Sequence, residues 1–192
     1  MQPCNIQDIF KGVALSLKET EILRDNFQKL SIGKGHIILR EGQPASYQYY
    51  VCSGCLRAFY VDASGKEHTL QFAVNDWWIS DYTAFLVNGR AILNIECLQD
   101  AIVYRLSKDN LEELYRSVPS VESFFRLIFE RYLISFQERV LANLAQSATE
   151  RYLTFISTYP DIQKNVKNYH VASYLGITSE SLSRIKKDLA ID

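Results

Sequence analysis

The sequence predicts an α+β protein whose strand-rich part comes first and whose helical part follows. Three observations carry this reading. From about Gly33 to Leu106 the chain is a series of short strand-like runs separated by glycine and polar turns. From Ser120 to about Ser147 it is one long helical run without glycine or proline. Asn168 to Lys187 then carries the spacing of two short helices that cross steeply. The 192 residues suffice for one or two compact domains.

The elements follow in order. Ser16 to Phe27 has helical period and opens with Ser16-Leu17-Lys18-Glu19, a capping-box string in which the serine and the glutamate satisfy each other's backbone N–H groups. Strand-like runs follow at His36–Arg40, Tyr47–Val51, Leu56–Val61, Glu67–Val74, Ile92–Leu98 and Ala101–Leu106. Ser53-Gly54 reads as a hairpin turn between the second and third of these, and Gln99-Asp100 separates the last two. Such even spacing suits a β-sandwich, a barrel or a jelly roll. A short helix over Asp109–Arg116 ends at Val118-Pro119.

The long run is more apolar than a single packed face requires. Val121, Phe125, Ile128, Tyr132, Phe136, Val140 and Leu144 recur at spacings of four and three, and Phe124, Leu127, Phe129, Leu133 and Leu141 widen the stripe. The extra width predicts a second partner, and the simplest is the same helix from another copy. A two-fold homodimer through residues 121–144 is expected. The alternative is a helix buried between two domains of one chain. Thr149 restarts a helix that ends near Tyr159-Pro160, and Asp161–Val166 reads as a connector.

In the last window Val171, Leu175, Ile177, Leu182 and Ile185 are apolar, Ala172 is small, and Gly176 stands where the first helix must stop. A small residue admits the crossing helix, and a glycine supplies the left-handed turn. Thr178 can cap the second helix. Ser179, Glu180, Ser181 and Arg184 then fall on its outer, N-terminal side, where base edges in a DNA major groove are read. Lys167, Lys186 and Lys187 are candidate phosphate contacts, with the Tyr169 hydroxyl and the His170 imidazole.

Composition limits the alternatives. Apolar residues make up 47% and charged residues 22%, with 21 Lys and Arg against 22 Asp and Glu. Widespread disorder is excluded. No apolar run is long enough to span a membrane. Met1–Gly12 lacks a cationic start before an apolar core, so no secretory signal is expected and the cytoplasm is the expected location. A net charge of −1 excludes a protein that coats nucleic acid through bulk electrostatics, but not one that reads DNA through a local patch. From Arg151 onward six cations stand against four anions. Weak single-copy affinity and two half-sites are therefore expected. Cys4, Cys52, Cys55 and Cys97 are too sparse for a disulfide scaffold, and reduced thiols are expected. Cys52-Ser53-Gly54-Cys55 has no second C-x-x-C and no nearby histidine pair, so two structural cysteines flanking a turn are expected instead of a metal or redox pair.

The β-roll, long helix and C-terminal helix-turn-helix together resemble the Crp/Fnr family of bacterial transcription regulators over nearly the whole chain. The resemblance rests on Gly35-x6-Gly42, on Tyr49-Tyr50-Val51 leading to Gly54, on Asn75-Asp76-Trp77-Trp78 followed by Arg90, and on Thr178–Arg184. It implies an N-terminal double-stranded β-helix, or jelly roll, with flanking helices over residues 1–118. It further implies a long dimerisation helix over 119–147 and a small helical DNA-binding domain over 148–192; as a departure from the family, no counterpart of its winged hairpin is expected. It also implies base contacts from Ser179, Glu180 and Arg184, a palindromic double-stranded operator, and indirect action on RNA polymerase.

For an effector the resemblance marks a pocket around Arg90, Ser80, Asp81, Ala91, Phe136 and Gln137. The cyclic-AMP binders carry Gly-Glu and Arg-Ser pairs. A gapless alignment places Ile79-Ser80 and Arg90-Ala91 there, so only the arginine persists. Trp77, Trp78, Tyr82 and Phe85 are bulky enough to fill the space. No tight cyclic-AMP binding is expected; a different small anionic ligand, or none, is. The iron–sulfur branch needs a cluster of N-terminal cysteines, and only Cys4 lies in the first 51 residues, so no cofactor is expected. Two other classes compete. A cupin-like metalloenzyme needs convergent histidines, yet only His36, His68 and His170 exist, with no H-x-H pair, and no catalytic constellation is visible. A ligand-binding β-roll whose helical tail contacts a protein partner is the remaining alternative.

Overall fold

The computed structural model describes residues 4–160, 162 and 166–189. The chain divides into two compact units. One is Met1–Ala58 with Phe72–Arg131, and the other is Phe59–Gln71 with Tyr132–Asp192.

The first unit is an antiparallel, jelly-roll-like sheet with helices against it. A short helix α1 (Ile6–Ile9) and α2 (Leu17–Asn26) precede β1 (Gln28–Ile32) and β2 (Ile37–Leu39). The long β3 (Tyr47–Val61) and β4 (Glu67–Ala73) form a hairpin, and β5 (Trp77–Ile79), α3 (Tyr82–Phe85) and β6 (Asn94–Ser107) follow. The strand order is β1-β6-β3-β4, with β2 also on β6 and β5 also on β3. The register is set by Leu30 opposite Val103 and by Tyr50 opposite Trp78. The predicted capping box forms: Ser16 Oγ accepts from Glu19 N–H, and the Glu19 carboxylate accepts from Ser16 N–H at 2.8 Å. Helix α4 (Lys108–Ser117) leads to α5 (Pro119–Ala145), whose first residue is the proline, where a missing N–H costs nothing. Val121 and Phe125 at the start of α5 are buried. Phe125 packs on Trp78 at 5.0 Å between ring centroids, and Trp78 on Phe27 at 6.2 Å.

Three expectations are corrected. Ser53-Gly54 is not a hairpin turn. It lies inside the continuous 15-residue β3, and the hairpin is Asp62–Lys66, where the Asp62 carboxylate accepts from Ser64 N–H and Lys66 N–H. Gln99-Asp100 likewise lies inside the 14-residue β6. The reason is a close crossing. Gly54 has φ +92°, and a Cβ there would sit 2.5 Å from Asp100 O and 2.8 Å from Ala101 Cα. A glycine chosen for backbone approach looks, in sequence, like a glycine chosen for a turn. Third, the thiols are not all reduced: Cys4 is disulfide-bonded to Cys52, with Cα atoms 5.8 Å apart, while Cys55 and Cys97 are free and buried. Packing of α1 brings Cys4 to β3 across 48 residues, a distance no local spacing reveals. Four elements, α1, β1, β5 and α3, lie outside the sequence prediction altogether.

The second unit holds the C-terminal part of α5, α6 (Ala148–Thr158), α7 (Asn168–Leu175) and α8 (Ser179–Asp188), with the tip of the β3–β4 hairpin. Ser147 and Glu150 form a capping box on α6. The expected connector Asp161–Val166 falls mostly outside the described residues. Among those described, no helix is long and apolar enough to cross a membrane.

The Gly54 crossing yields a prediction. Gly54→Ala meets both a positive φ and backbone atoms, and is expected to lower stability by about 3 kcal/mol. Denaturant unfolding measures this; an unchanged midpoint would show that the crossing tolerates a side chain.

Candidate nucleic-acid interface

Helices α7 and α8 are joined by a turn whose chemistry is local. Gly176 adopts φ +69°, ψ +30°, the left-handed cap, and Ile177 N–H returns to Ala172 O at 3.0 Å. Thr178 caps α8 by accepting from Ser181 N–H at 3.2 Å. Val171, Ala172, Leu175, Leu182 and Ile185 are buried together on the inner faces. With these residues inside, Ser179, Glu180, Ser183, Arg184 and Lys187 are left exposed on α8. Ser181 and Lys186 are half-buried, and the Ser181 hydroxyl faces the Thr178 hydroxyl at 3.2 Å. Glu180 is held below the usual carboxylate range, first by its own backbone N–H and then by the Thr178 hydroxyl. It therefore stays ionised, an acceptor at the helix N-terminus. Tyr169 is exposed, and the ammonium of exposed Lys167 lies 5.7 Å from its ring centroid. His170 is corrected: it is 4% exposed, on the packed side of α7, and is not presented as a phosphate contact.

What holds this pair of helices was not visible in the sequence. Ser173 Oγ accepts from Thr69 N–H at 2.9 Å and donates to Glu67 O at 2.7 Å, so α7 is bonded to the backbone of β4. Arg139 on α5 donates to Leu70 O, and its guanidinium lies 4.7 Å from the Tyr174 ring centroid. Arg151 on α6 spans two carbonyls: Nη1 donates to Gln146 O at 2.7 Å, and Nε and Nη2 donate to Leu175 O at 3.3 and 3.1 Å. Arg151, one of the cations credited to the DNA-facing charge, is thus committed to holding helix ends. Lys164, another, lies outside the described residues. Only the charge of Arg139 within an apolar helical stripe could have signalled any of this.

Residues 29–118 match the cyclic nucleotide-binding domain family. The chain is 22% identical to an anaerobic regulatory protein of Pasteurella multocida, covering 96% of this chain and 71% of that one. It is 21% identical to the transcriptional activator protein Anr of Pseudomonas protegens, covering 95% and 79%. Among solved structures, FixK2 from Bradyrhizobium japonicum superposes with a TM-score of 0.75 at 21% identity, over 85% of this chain and 84% of that one. A protein described as a Crp/Fnr-family regulator from Eubacterium rectale gives 0.71 at 16% identity, over 92% and 84%. Over nearly its whole length the chain is similar to transcription regulators of the Crp/Fnr type. Its fold is the Crp/Fnr fold, with the jelly-roll expectation met.

The corner that the resemblance marks for an effector is filled by the chain's own contacts. Asp81 is fully buried and its carboxylate gathers four donors. Oδ2 accepts from Ile92 N–H at 2.7 Å and Leu93 N–H at 3.0 Å; Oδ1 accepts from Thr83 Oγ1 at 2.6 Å and Ala84 N–H at 3.3 Å. Ser80 is buried and donates to Tyr47 O at 2.9 Å. Ala91 is buried, and its N–H goes to Gln43 O at 2.8 Å. Arg90 is exposed and donates to Gly42 O at 2.7 Å. These four residues thus share one corner of the first unit. Phe136 and Gln137 belong to the other unit and are exposed. A cyclic nucleotide needs donors for its phosphate and a carboxylate for its ribose. Here the backbone donors after Arg90 are taken by a buried carboxylate, and the residues do not fit that ligand. Among the described residues no group of three His, Cys, Asp or Glu side chains could hold a metal ion.

Cyclic AMP is accordingly expected to leave the thermal unfolding midpoint unchanged. A rise that grows with its concentration, as linkage requires of a bound ligand, would overturn this reading of Asp81.

Proposed function

We propose that this protein regulates transcription by reading a palindromic DNA site as a homodimer, with α8 in the major groove. One observation carries the proposal: α8 buries Leu182 and Ile185 while its capped N-terminal end offers Ser179, Glu180 and Arg184 to solvent. Short polar groups and one guanidinium on such an end are what base edges require. Similarity supports it, since the relatives named above are a regulatory protein and a transcriptional activator. Ser181 stands at the same end. Lys167, Tyr169, Lys186 and Lys187 are assigned to phosphates, which fix register without reading sequence. The domains proposed are 1–118 for the sensor roll, 119–147 for the dimer helix and 148–192 for DNA binding.

Dimerisation is inferred from α5. Its first turns are buried, but Leu133, Ile134, Phe136, Val140, Leu141 and Leu144 are 42–79% exposed in the single chain. So much apolar surface along one helix is rare on a monomer. A second copy of α5 covers it with matching chemistry, and pairs two recognition helices that bind weakly alone.

Arg184→Ala is expected to weaken binding to an operator-length duplex by about 1–3 kcal/mol and to relax its sequence preference. Titration at several salt concentrations checks this. Unchanged affinity and preference would remove α8 from the groove, and salt-independent retention would favour a protein partner instead. Leu133→Glu with Phe136→Glu should convert the dimer to a folded monomer, read by sedimentation; a dimer that survives both charges would place the interface elsewhere.

A further inference from the structure

We propose that the Cys4–Cys52 bond is a redox-active site that exchanges with small anionic thiols through a cationic cavity beside it. The observations lie within the first unit. Cys4 and Cys52 are both half-buried, so their sulfurs are neither sealed nor freely exposed. The other two cysteines are not competitors: burial pushes the Cys55 thiol up to about 12 and the Cys97 thiol up to about 11, and both side chains are fully enclosed. Next to Cys4 is a cavity of about 490 Å³ lined by Asn5, Gln7, Arg24, Phe27, Lys29 and Tyr104. Two of its lining groups grip the Cys4 carbonyl, Lys29 Nζ at 3.1 Å and Tyr104 OH at 3.4 Å. Arg24 and Lys29 are exposed and give the cavity two positive charges. Asp8 on α1 holds its carboxylate on the N–H of lining Asn5 at 2.7 Å, so it offsets one of these charges and leaves a net positive one. The volume and charge suit a tripeptide-sized anionic thiol.

The chemistry balances with that thiol as reductant. Its thiolate attacks one protein sulfur; the S–S bond breaks, and the electron pair leaves on the other cysteine, which takes up a proton. A second thiolate attacks the mixed disulfide and releases the first cysteine, also protonated, with the small disulfide as the oxidised product. The reverse sequence, with the small disulfide as oxidant, restores the bond.

The bond also has something to hold. Cys4 leads directly into α1, whose C-terminal neighbour Phe10 is 1% exposed and packs on Phe124 at 4.8 Å and on Phe125 at 6.3 Å. Those two residues stand in the first turns of α5. The disulfide therefore clamps β3 to the segment that seats the long helix. Any further effect on DNA binding rests on the function proposed above; the thiol exchange does not.

The test uses the full chain and two reductants, glutathione as the anionic probe and 2-mercaptoethanol as the neutral one. Glutathione should reduce the bond in the native protein. Arg24→Gln with Lys29→Gln should slow that reduction about five-fold at low ionic strength while slowing 2-mercaptoethanol, whose attacking thiolate carries one charge and no carboxylates, clearly less. Arg24→Lys with Lys29→Arg should restore it. Reduction, or Cys52→Ser, should speed amide exchange over Ile6–Phe10 and at Phe124 and Phe125. A bond that glutathione leaves intact in the native protein, equal slowing of both reductants, or exchange that ignores the redox state would each overturn the proposal.

Discussion

Helix α5 is 27 residues long and carries more apolar surface than one side of a helix can bury. Water penalises that surface wherever it stays open, by about 25 cal/mol for each Å². The first turns meet the penalty inside their own unit, where Val121 and Phe125 join Trp78 and Phe10. The later turns do not, and residues such as Leu141 and Leu144 stay open in the single chain. One helix is thus anchored at its start and unsatisfied further along. That imbalance is the physical ground for the pairing proposed above, in which a near-neutral protein sets two short helices on one duplex.

Near-neutrality acquires a different meaning once the cations are followed individually. Arg57 is buried against Glu96 at 2.8 Å, Arg90 serves Gly42 O, Arg139 serves Leu70 O, and Arg151 serves Gln146 O and Leu175 O. Much of the guanidinium inventory holds backbone and neighbouring side chains in place. The charge left on the outward side of the helix-turn-helix comes from few groups, Lys167, Arg184 and Lys187 among them. Overall composition could not distinguish a cation that holds a carbonyl from one that awaits a phosphate.

The parts legible in sequence were those whose causes are local. The Ser16-Leu17-Lys18-Glu19 string became a capping box because its serine and glutamate carry the necessary donors and acceptors. Gly176 and Thr178 marked the turn and cap of the helix-turn-helix for the same reason. What escaped was long-range. Gly54 serves a strand that arrives from Asp100 and Ala101, Cys52 serves a cysteine 48 residues away, and Ser173 serves a strand 104 residues upstream. Asp81 illustrates a subtler failure. The resemblance names it for an effector pocket, whereas in the structure its carboxylate accepts from the chain's own N–H groups, and no spacing rule separates a carboxylate that receives a ligand from one that serves its own backbone.

The Arg151 guanidinium bears on which substitutions this position could accept over evolutionary time. One planar fork reaches carbonyls at the ends of two helices, with Nη1 on one and Nε and Nη2 on the other. A lysine would keep the charge and lose the geometry, since a single ammonium cannot present donors in fixed directions so far apart. Charge conservation would thus be a poor guide to tolerance here. Lineages retaining this helix arrangement should hold arginine at this position.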